Sequence, residues 1–285
     1  MSGKRKKKGS KLGSYYTVPF TRDRDIVVDF ISIGKKTMKV HAIGEIDVTR
    51  PKQKIEELKS KGIKISFSAF VMYVLAQTVA EHPYMQAIKW RRRRMVIFED
   101  VDITFIVERE VAGKKMPTSA MFRNANKKSL KELTDELWSA ASKSDNSMVD
   151  KDKEGGSATD LLLRMPRFLR RFLMWRVYKN PFLHRKLNGT VGITSVGMFA
   201  DGGGTAIPIA TGYFSVTVGG IDKRPGYARK ENGEINIEKI IPRDYLSITF
   251  NIDHTTVDGG PATRFLAKFR QRLSEGFGLD DIESS

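Results

Sequence analysis

The strongest constraint on the fold is a strand pattern near the C-terminus, "YLSITFNID" at residues 245–253. Four apolar residues from Leu246 to Ile252 alternate with polar ones, so an extended chain carries all four on one face. A strand with one apolar face needs other structure packed against that face. Shortly after the strand, Pro261 opens a segment with helical spacing that closes at Glu275. The C-terminal region therefore predicts a sheet with a helix beside it.

Strand-type and helix-type patterns intermix along the whole chain, which predicts an α/β or α+β fold. Further strands are predicted in "KVHAIGEIDVT" at 39–49, "MVIFEDVDITFIVERE" at 95–110, "GTVGITSVGMF" at 189–199 and "GYFSVTVGGI" at 212–221. Helices are predicted at 51–62, at 66–83 with an N-cap at Ser66, and at 127–142. Asn232–Gly233 predicts a hairpin turn between the strands at 212–221 and 245–253.

Composition limits the class of protein. Of 285 residues, 40% are hydrophobic, as in a folded globular protein, and no apolar run is long enough to span a bilayer. Residues 1–14 are basic with no following apolar stretch, which predicts a disordered arm rather than a secretory signal. We expect a cytoplasmic protein with a single domain at residues 15–285. Zero cysteines exclude disulfides, thiolate catalysis and cysteine-ligated zinc.

The formal net charge is +17, which favours partners that carry phosphate, such as nucleic acid, anionic lipid or coenzyme A. Positive charge concentrates in "KRKKK" at 4–8, "KWRRRR" at 89–94 and a stretch at 164–186. No recognised nucleic-acid module surrounds "KWRRRR", so nucleic acid is the partner that the sequence supports least.

His254 follows directly after the strand at 245–253, with Asp258 four residues later and Gly259 and Gly260 next. The junction between a strand and the following loop is a common place for a catalytic group. A neutral imidazole there can accept a proton from a thiol or hydroxyl. The alternative is a polar residue bonded to backbone at a strand end. "GITSVG" lacks the G-x-S-x-G spacing of a hydrolase nucleophile. The remaining histidines show no ligand spacing, so no metal site is predicted.

Six ordered blocks resemble the 2-oxoacid dehydrogenase acyltransferases, the E2 catalytic domains related to chloramphenicol acetyltransferase. The block "HTTVDGGPATRFLAKF" resembles the family signature "HRxxDGAxAxxFL". The other blocks are "GEIDVT", "ISFSAFVMYVLAQTVAEHPYMQA", "MPTSAMFRNANKKSLKEL", "NGTVGITSVGMF" and "TAIPIATGYFSVTVGGIDKRP". Together they span Val40 to Gln271. The resemblance implies a chloramphenicol acetyltransferase-like fold, a mixed sheet flanked by helices that extends across a trimer interface.

The resemblance also implies a chemistry. His254 would be the general base of an acyl transfer between a thioester and an acceptor, and Asp258 would hold the loop through a charge pair. A hydroxyl at Thr194, with Ser195 beside it, would donate to the oxyanion. Coenzyme A or acyl-CoA is the implied substrate, with no lipoyl group attached to this chain, and the implied coenzyme-binding residues are Arg123, Asn124 and Gly259. The family is trimeric, with the active site at a subunit boundary.

The chain departs from the family in several places. Thr255 stands where the family has an arginine. "TRDRDIVVDF" matches the family's N-terminal motif poorly, so Arg22 and Arg24 are both candidates for the charge partner of Asp258. We expect no lipoyl domain and no peripheral-subunit-binding domain on this chain, so that a lipoyl arm, if used, comes from another chain. The C-terminus, "GLDDIESS", is charged and polar, which predicts a free homotrimer rather than a larger cage.

The largest departure is an insertion at Asp145–Leu187, which contains a basic amphipathic segment at 158–186. Its arginines lie largely opposite an apolar face formed by Leu162, Met165, Phe168, Leu169, Phe172, Leu173 and Trp175. Such a helix suits an anionic membrane surface, or a hydrophobic groove on a protein partner. The alternative is a helix folded onto its own domain with its arginines solvated.

Three functions stay open on the sequence. The first is a coenzyme A-dependent acyltransferase, peripheral at the membrane surface if the insertion binds lipid. The second is an E2 core of a 2-oxoacid dehydrogenase complex that uses a lipoyl arm supplied by another chain. The third is a catalytically silent trimeric scaffold that binds anionic surfaces. Retention of His254, Asp258, Gly259 and a hydroxyl at Thr194 argues against the scaffold.

Overall fold

A computed structural model describes residues 5–10, 13–20, 22–111, 114–142, 165–196, 204–209, 212–229 and 234–284. Its helices are α1 (Arg22–Gly34), α2 (Thr49–Ser60), α3 (Phe67–Glu81), α4 (Leu130–Ser142), α5 (Arg167–Lys179), α6 (Pro181–Asn188) and α7 (Gly259–Glu275). The strands are β1 (Arg5–Ser10), β2 (Gly13–Thr17), β3 (Lys39–Asp47), β4 (Ile88–Trp90), β5 (Arg94–Val96), β6 (Ile103–Val111), β7 (Lys114–Phe122), β8 (Val191–Ser195), β9 (Phe214–Arg229) and β10 (Ile235–Asp253).

A six-stranded sheet with the order β3-β10-β9-β8-β6-β7 forms the centre of the chain. The pairs β6–β8 and β8–β9 are parallel, and the remaining pairs are antiparallel. The predicted class, a mixed sheet flanked by helices, is confirmed. Two small hairpins, β1–β2 and β4–β5, stand outside this sheet.

The apolar face of β10 packs against helices, as its alternation predicts. Its four apolar residues from Leu246 to Ile252 are buried in one hydrophobic core with residues of α2, α3, α4 and α7. The Phe250 ring lies 5.2 Å from Phe269 and 6.1 Å from Phe265, centroid to centroid, both on α7. Burying aromatic rings of this size stabilises a fold by several kcal/mol each, about 3 kcal/mol for a phenylalanine. This packing fixes the helix that follows the His254 loop.

The polar face of β10 is also covered. Ser247, Thr249, Asn251 and Asp253 are all buried. On β9 next to them, a Cβ placed on Gly219 would lie 2.2 Å from the carbonyl oxygen of Gly204, so the backbone at Gly204 lies directly against this strand. Only glycine permits this approach.

Two segments are more extended than the sequence predicts. The strands β9 and β10 pair from Phe214↔Ile252 out to Arg229↔Ile235, well beyond the predicted ends. The outer parts of β9 and β10 contain many polar residues, so they lack the alternation that predicts a strand. They are held instead by pairing with each other. The predicted turn at Asn232–Gly233 lies outside the described residues. Residues 5–10 form β1, paired with β2, where the composition predicts a disordered arm.

The described part of the insertion is α5 and α6, with Pro166 at the N-cap of α5. The residues of the insertion before 165 lie outside the described part. The carboxylate of Asp29 on α1 is fully buried and holds α5 through Arg170 at 2.6 Å, Arg171 at 2.9 Å and Arg167 at 3.3 Å. The helix therefore folds onto its own domain, but Arg170 is buried rather than solvated.

Candidate active site

His254 lies on the loop between β10 and α7. Its side chain is exposed, and its backbone N–H donates to the carbonyl oxygen of Met38 at 2.9 Å. The buried carboxylate of Asp253 accepts from the backbone N–H of Thr255 at 2.9 Å and from its hydroxyl at 2.7 Å. These bonds fix the backbone on both sides of His254 and leave its imidazole free to meet a substrate. Thr255, the departure from the family, is thus a residue that shapes the loop.

Asp258 is the N-cap residue of α7, with extended backbone and an exposed side chain that makes no capping hydrogen bond. Within the described part of the chain its carboxylate forms no ion pair, and Arg24 is exposed. The side chain of Arg22 lies outside the description, so the charge partner of Asp258 stays a prediction. A Cβ on Gly259 would meet nothing within 4 Å, which leaves open space beside the start of α7.

Thr194 and Ser195 end β8 and are half-buried. Thr194 pairs with Thr217 on β9, which pairs with Thr249 on β10, so three hydroxyls form a row across the sheet. The hydroxyl oxygens of Thr217 and Thr249 are buried without a hydrogen-bond partner among the described residues. An unpaired buried hydroxyl is costly. The sequence carried a signal for this row in the alternation of "FSVTVGG" and "YLSITFNID".

His254 and Thr194 do not meet within one chain. His254 lies five residues beyond Thr249, which corresponds to roughly 16 Å along the strand, and Thr194 lies two strands away, roughly 10 Å across the sheet. A general base and an oxyanion donor must both lie within about 3 Å of the reacting atoms. One copy of the chain therefore does not assemble both predicted groups at one centre.

A cleft of about 560 Å³ opens beside the His254 loop. It is lined by Thr256, Val257 and Asp258 from the loop, and by Pro261 and Arg264 from α7. The end of α3, the following turn and β5 supply the remaining lining residues: Glu81, His82, Pro83, Tyr84, Met85 and Met95. Asp258 lines it but His254 and Thr194 do not, so the cleft borders the His254 loop without holding the predicted base or the predicted oxyanion donor.

A buried cluster lies beneath the loop, and sequence reasoning missed it. Asp253 donates its backbone N–H to the carbonyl oxygen of Tyr213 at 3.0 Å, and the Tyr213 hydroxyl donates to the carbonyl oxygen of Tyr178 at 2.8 Å. The two tyrosine rings stack at 4.8 Å, and His184 meets both edge-on. Lys39 pairs with Asp253 across the β3–β10 ladder. Residues of α5 and α6 thus support the strand that carries His254.

Burial controls protonation in this cluster. It lowers the pKa of His184 to about 4, with a further contribution from the Lys39 charge, and it lowers the pKa of Lys39 to about 8 against the opposing pull of Asp253. It raises the pKa of both tyrosines. His184 is therefore neutral at pH 7.

Arg123 and Asn124 face Asp102, a buried carboxylate just before β6. The Arg123 guanidinium donates to the Asp102 carboxylate and to the carbonyl oxygen of Arg185, both at 2.9 Å. The backbone N–H of Asn124 also donates to the Asp102 carboxylate, at 2.9 Å. Burial would raise the pKa of Asp102, but bonds from Arg185, Asn124 and Arg123 hold it below its usual range. These contacts anchor α6, and a coenzyme-binding role for Arg123 and Asn124 stays a prediction.

Among the described residues, no group of three or more histidine or acidic side chains is placed to hold a metal ion. None of the helices described is both long and apolar enough to cross a membrane.

The mixed sheet with its helical layer, and the histidine between β10 and α7, agree with the acyltransferase fold that the sequence resemblance implies. The chain matches the catalytic domain of the 2-oxoacid dehydrogenase acyltransferases over residues 13–159 and 184–277, and it belongs to that family. The match leaves out residues 160–183, which include all of α5. No curated protein sequence matches the chain significantly.

Solved structures with the same fold include three E2-type proteins. A dihydrolipoamide acetyltransferase of Azotobacter vinelandii, studied for the catalytic roles of a serine, a histidine and an asparagine, aligns with TM-score 0.68 and 18% identity over 95% of this chain and 96% of its own. A probable dihydrolipoamide acetyltransferase of Listeria monocytogenes aligns with TM-score 0.64 and 19% identity over 91% and 94%. A truncated catalytic core of the 2-oxoacid dehydrogenase complex of Thermoplasma acidophilum aligns with TM-score 0.63 and 17% identity over 92% and 99%.

Proposed function

We propose that the protein transfers an acyl group between coenzyme A and an acceptor, with His254 as the general base. The observation that carries this proposal is the exposed imidazole at the end of β10, on a loop whose backbone is fixed on both sides. In the Azotobacter vinelandii protein, the histidine and the asparagine studied for catalytic roles are four residues apart, as are His254 and Asp258.

The proposed step balances as an exchange of thioesters. His254 takes the proton from the attacking thiol, and the resulting thiolate forms a bond to the carbonyl carbon of the acyl thioester. The carbonyl electron pair moves to oxygen, where a hydroxyl at Thr194 donates a hydrogen bond to the oxyanion. The carbonyl then reforms, the original carbon–sulfur bond breaks, and the imidazolium returns its proton to the leaving thiolate. With an amine or hydroxyl acceptor the same proton transfer applies.

The separation of His254 from Thr194 supports a site shared between copies in a homotrimer. Because the two groups do not meet within one chain, the hydroxyl that serves a given His254 belongs to a neighbouring copy. Heterologous contacts of this kind close into a ring when the rotation between copies allows it. The proposed assembly is a free trimer, and a light-scattering mass of 24 or 60 chains would contradict it.

The direct test is an acyl-CoA panel of several chain lengths with release of free thiol as the readout. We expect turnover by the wild-type protein and a loss of about 10²–10⁴-fold in His254→Ala, the usual range for removal of a general base. His41→Gln is a matched control, because His41 is an exposed histidine on the adjacent strand bonded to Asn251 at 2.7 Å. Equal turnover by wild type and His254→Ala would exclude His254 as the general base, and no thiol release above background by the wild type would favour the silent scaffold.

A second candidate is acyl transfer to or from a dihydrolipoyl group carried by another chain. The solved structures with this fold named as dihydrolipoamide acetyltransferases support it. Dihydrolipoamide is compared with simple thiols, amines and alcohols as acceptor. A kcat/KM for dihydrolipoamide well above all others favours the E2 role, and no preference for it rules that role out.

Mixing two inactive variants tests the shared site independently of the substrate's identity. If His254 and Thr194 act across a boundary, randomly mixed trimers of His254→Ala and Thr194→Val regain about a quarter of the wild-type activity, since one boundary in four joins two intact residues. No recovery after denaturation and co-refolding, with mixed trimers verified by mass, would place both residues in one chain's site.

A further inference from the structure

The helix α5 exposes its aromatic side. Phe168 is 76% exposed, Phe172 56% and Trp175 41%, and the spacing of four and three residues puts them on one face, called here the ring face. The opposite side holds Arg170, whose side chain is 6% exposed against the buried Asp29. A helix that buries one guanidinium group and exposes three aromatic rings departs from the usual arrangement of an amphipathic helix on a globular protein.

The apolar surface continues onto α6. Phe182 is 53% exposed and Leu187 58%, and Leu183 lies between them with 42% exposed. The Phe182 ring meets Trp90 edge-on at 5.5 Å, so the β4–β5 hairpin lies directly beside α6. Large exposed apolar areas on one region of a protein mark an interaction site.

Unpaired positive charge borders this surface, besides the four arginines of α5 and α6 that pair with Asp29, Asp100 or Asp102. Residues 165–188 contain seven lysines and arginines and no acidic residue, and the hairpin sequence "IKWRRRRMV" at 88–96 contains five basic residues and none acidic. Arg176, Lys179 and Lys186 are exposed and form no ion pair within the described ranges. The exposed turn Arg91–Arg94 adds four more cations next to α6.

Two further observations select the occupant. The match to the acyltransferase family omits residues 160–183, so the ring face belongs to a part of this chain that the family does not share. A second copy would bring the same net charge of +17 to a surface that is already basic, so like charges oppose self-association there. Rings bordered by unpaired cations complement a layer of anionic headgroups over an apolar interior.

We propose that α5, α6 and the β4–β5 turn form a docking surface for an anionic lipid bilayer. The rings of Phe168, Phe172 and Trp175 enter the boundary between headgroups and acyl chains, and the surrounding lysines and arginines contact lipid phosphates. Tryptophan and phenylalanine suit this depth, and basic side chains extend from it to the headgroups. The chain lies on the membrane through this surface and brings the His254 loop close to it through Tyr178 and Tyr213.

The test is co-sedimentation of the full chain with vesicles of phosphatidylglycerol and phosphatidylcholine, 1:1, against vesicles of phosphatidylcholine alone. We expect sedimentation with the anionic vesicles at low salt and release at high salt, because exposed charge interactions are screened. The triple variant Phe168→Ser/Phe172→Ser/Trp175→Ser should partition at least about tenfold less, since each apolar ring contributes to insertion. The triple variant Arg176→Gln/Lys179→Gln/Lys186→Gln should lose about fivefold per charge removed.

The matched control is Trp138→Ser on α4, an exposed tryptophan with 42% exposure that lies outside the proposed surface, and it should sediment like the wild type. Circular dichroism checks that each variant is folded. If the triple ring variant is unfolded, the single variant Phe168→Ser is used in its place. The proposal is overturned if the wild type stays in solution with anionic vesicles, which would favour a protein partner. It is also overturned by equal binding to both vesicle types or by unchanged binding of the ring variant. A change in the oligomeric mass of the ring variant would overturn it too, because the ring face would then be a contact between copies.

Discussion

The helices α7 and α5 are both amphipathic, yet α7 buries aromatic rings whereas α5 buries an arginine and exposes three rings. α7 buries Phe265 and Phe269 against the sheet and turns most of its polar side chains outward. α5 buries Arg170 against Asp29 and exposes Phe168, Phe172 and Trp175. The first arrangement is driven mainly by the removal of apolar surface from water. The second combines ion pairs to the buried Asp29 carboxylate with the packing of Tyr178, and it leaves the three rings exposed.

The largest effect should come from the apolar side of this comparison. Phe265→Ala removes a fully buried ring that contacts Phe214, Phe250 and His82, and should lower the free energy of unfolding by about 3–5 kcal/mol. Urea denaturation followed by fluorescence measures it. A loss below 1 kcal/mol would mean that α7 does not depend on its apolar face.

The charged side is tested by Asp29→Ala, which leaves Arg170 buried without its partner and should cost about 3 kcal/mol. Hydrogen exchange should show loss of protection concentrated in α5. Adding Arg170→Met to Asp29→Ala should recover most of the loss, because an apolar pair replaces a broken ion pair. Glu45→Ala, which removes an exposed partner of Arg224, is the control and should change the unfolding free energy by no more than about 1 kcal/mol. If the double variant is no more stable than Asp29→Ala, the ion pair is not what holds α5.

The free energy of unfolding should depend on pH through His184, in the buried cluster with Tyr178 and Tyr213. The pKa of His184 is about 4 in the folded chain and 6.5 as the ordinary value, so the unfolded chain binds more protons between these two pH values. The contribution of neutral His184 to the free energy of unfolding is therefore fully present above pH 6.5. It is lost as the pH drops toward 4, by on the order of 3 kcal/mol. Urea midpoints at pH 7 and pH 4.5 measure the slope, and His184→Phe should flatten it. An unchanged slope in His184→Phe would assign the acid sensitivity to other groups.

The smallest effect should come from the exposed rings. Trp175→Ala and Phe168→Ala should change the free energy of unfolding by no more than about 0.5 kcal/mol, since neither side chain contributes to the core. The same denaturation measurement applies, with Phe265→Ala as the opposite extreme. A loss above 1.5 kcal/mol in either variant would show that the ring face is covered in the assembled protein.

Local patterns sufficed for the regular parts of the fold. The period of two in β10 identified its buried face, and Ser66 was correctly placed at the N-cap of α3, where its hydroxyl accepts from the Ala69 N–H. The orientation of α5 was not accessible in the same way. A helical wheel shows which residues share a face but not which face is buried, and Asp29 lies about 140 residues from the arginines that it binds.

The candidate site divides in the same manner. His254 and Asp258 were identified because they lie in one short block that resembles the family signature. The distance between His254 and Thr194 depends on strand order, in which β9 lies between β8 and β10, and no local pattern gives that order. The cluster of Tyr178, His184 and Tyr213 was missed for a related reason, since its members come from three separate segments and none has a distinctive spacing.

The distance between His254 and Thr194 also bears on how the protein behaves on dilution. If each centre is completed only by a neighbouring copy, activity per chain follows mass action, rising with protein concentration and vanishing where trimers dissociate. Attachment to a lipid surface would confine the copies to two dimensions and raise their local concentration. Catalysis and location would then be linked without any change in the conformation of the site.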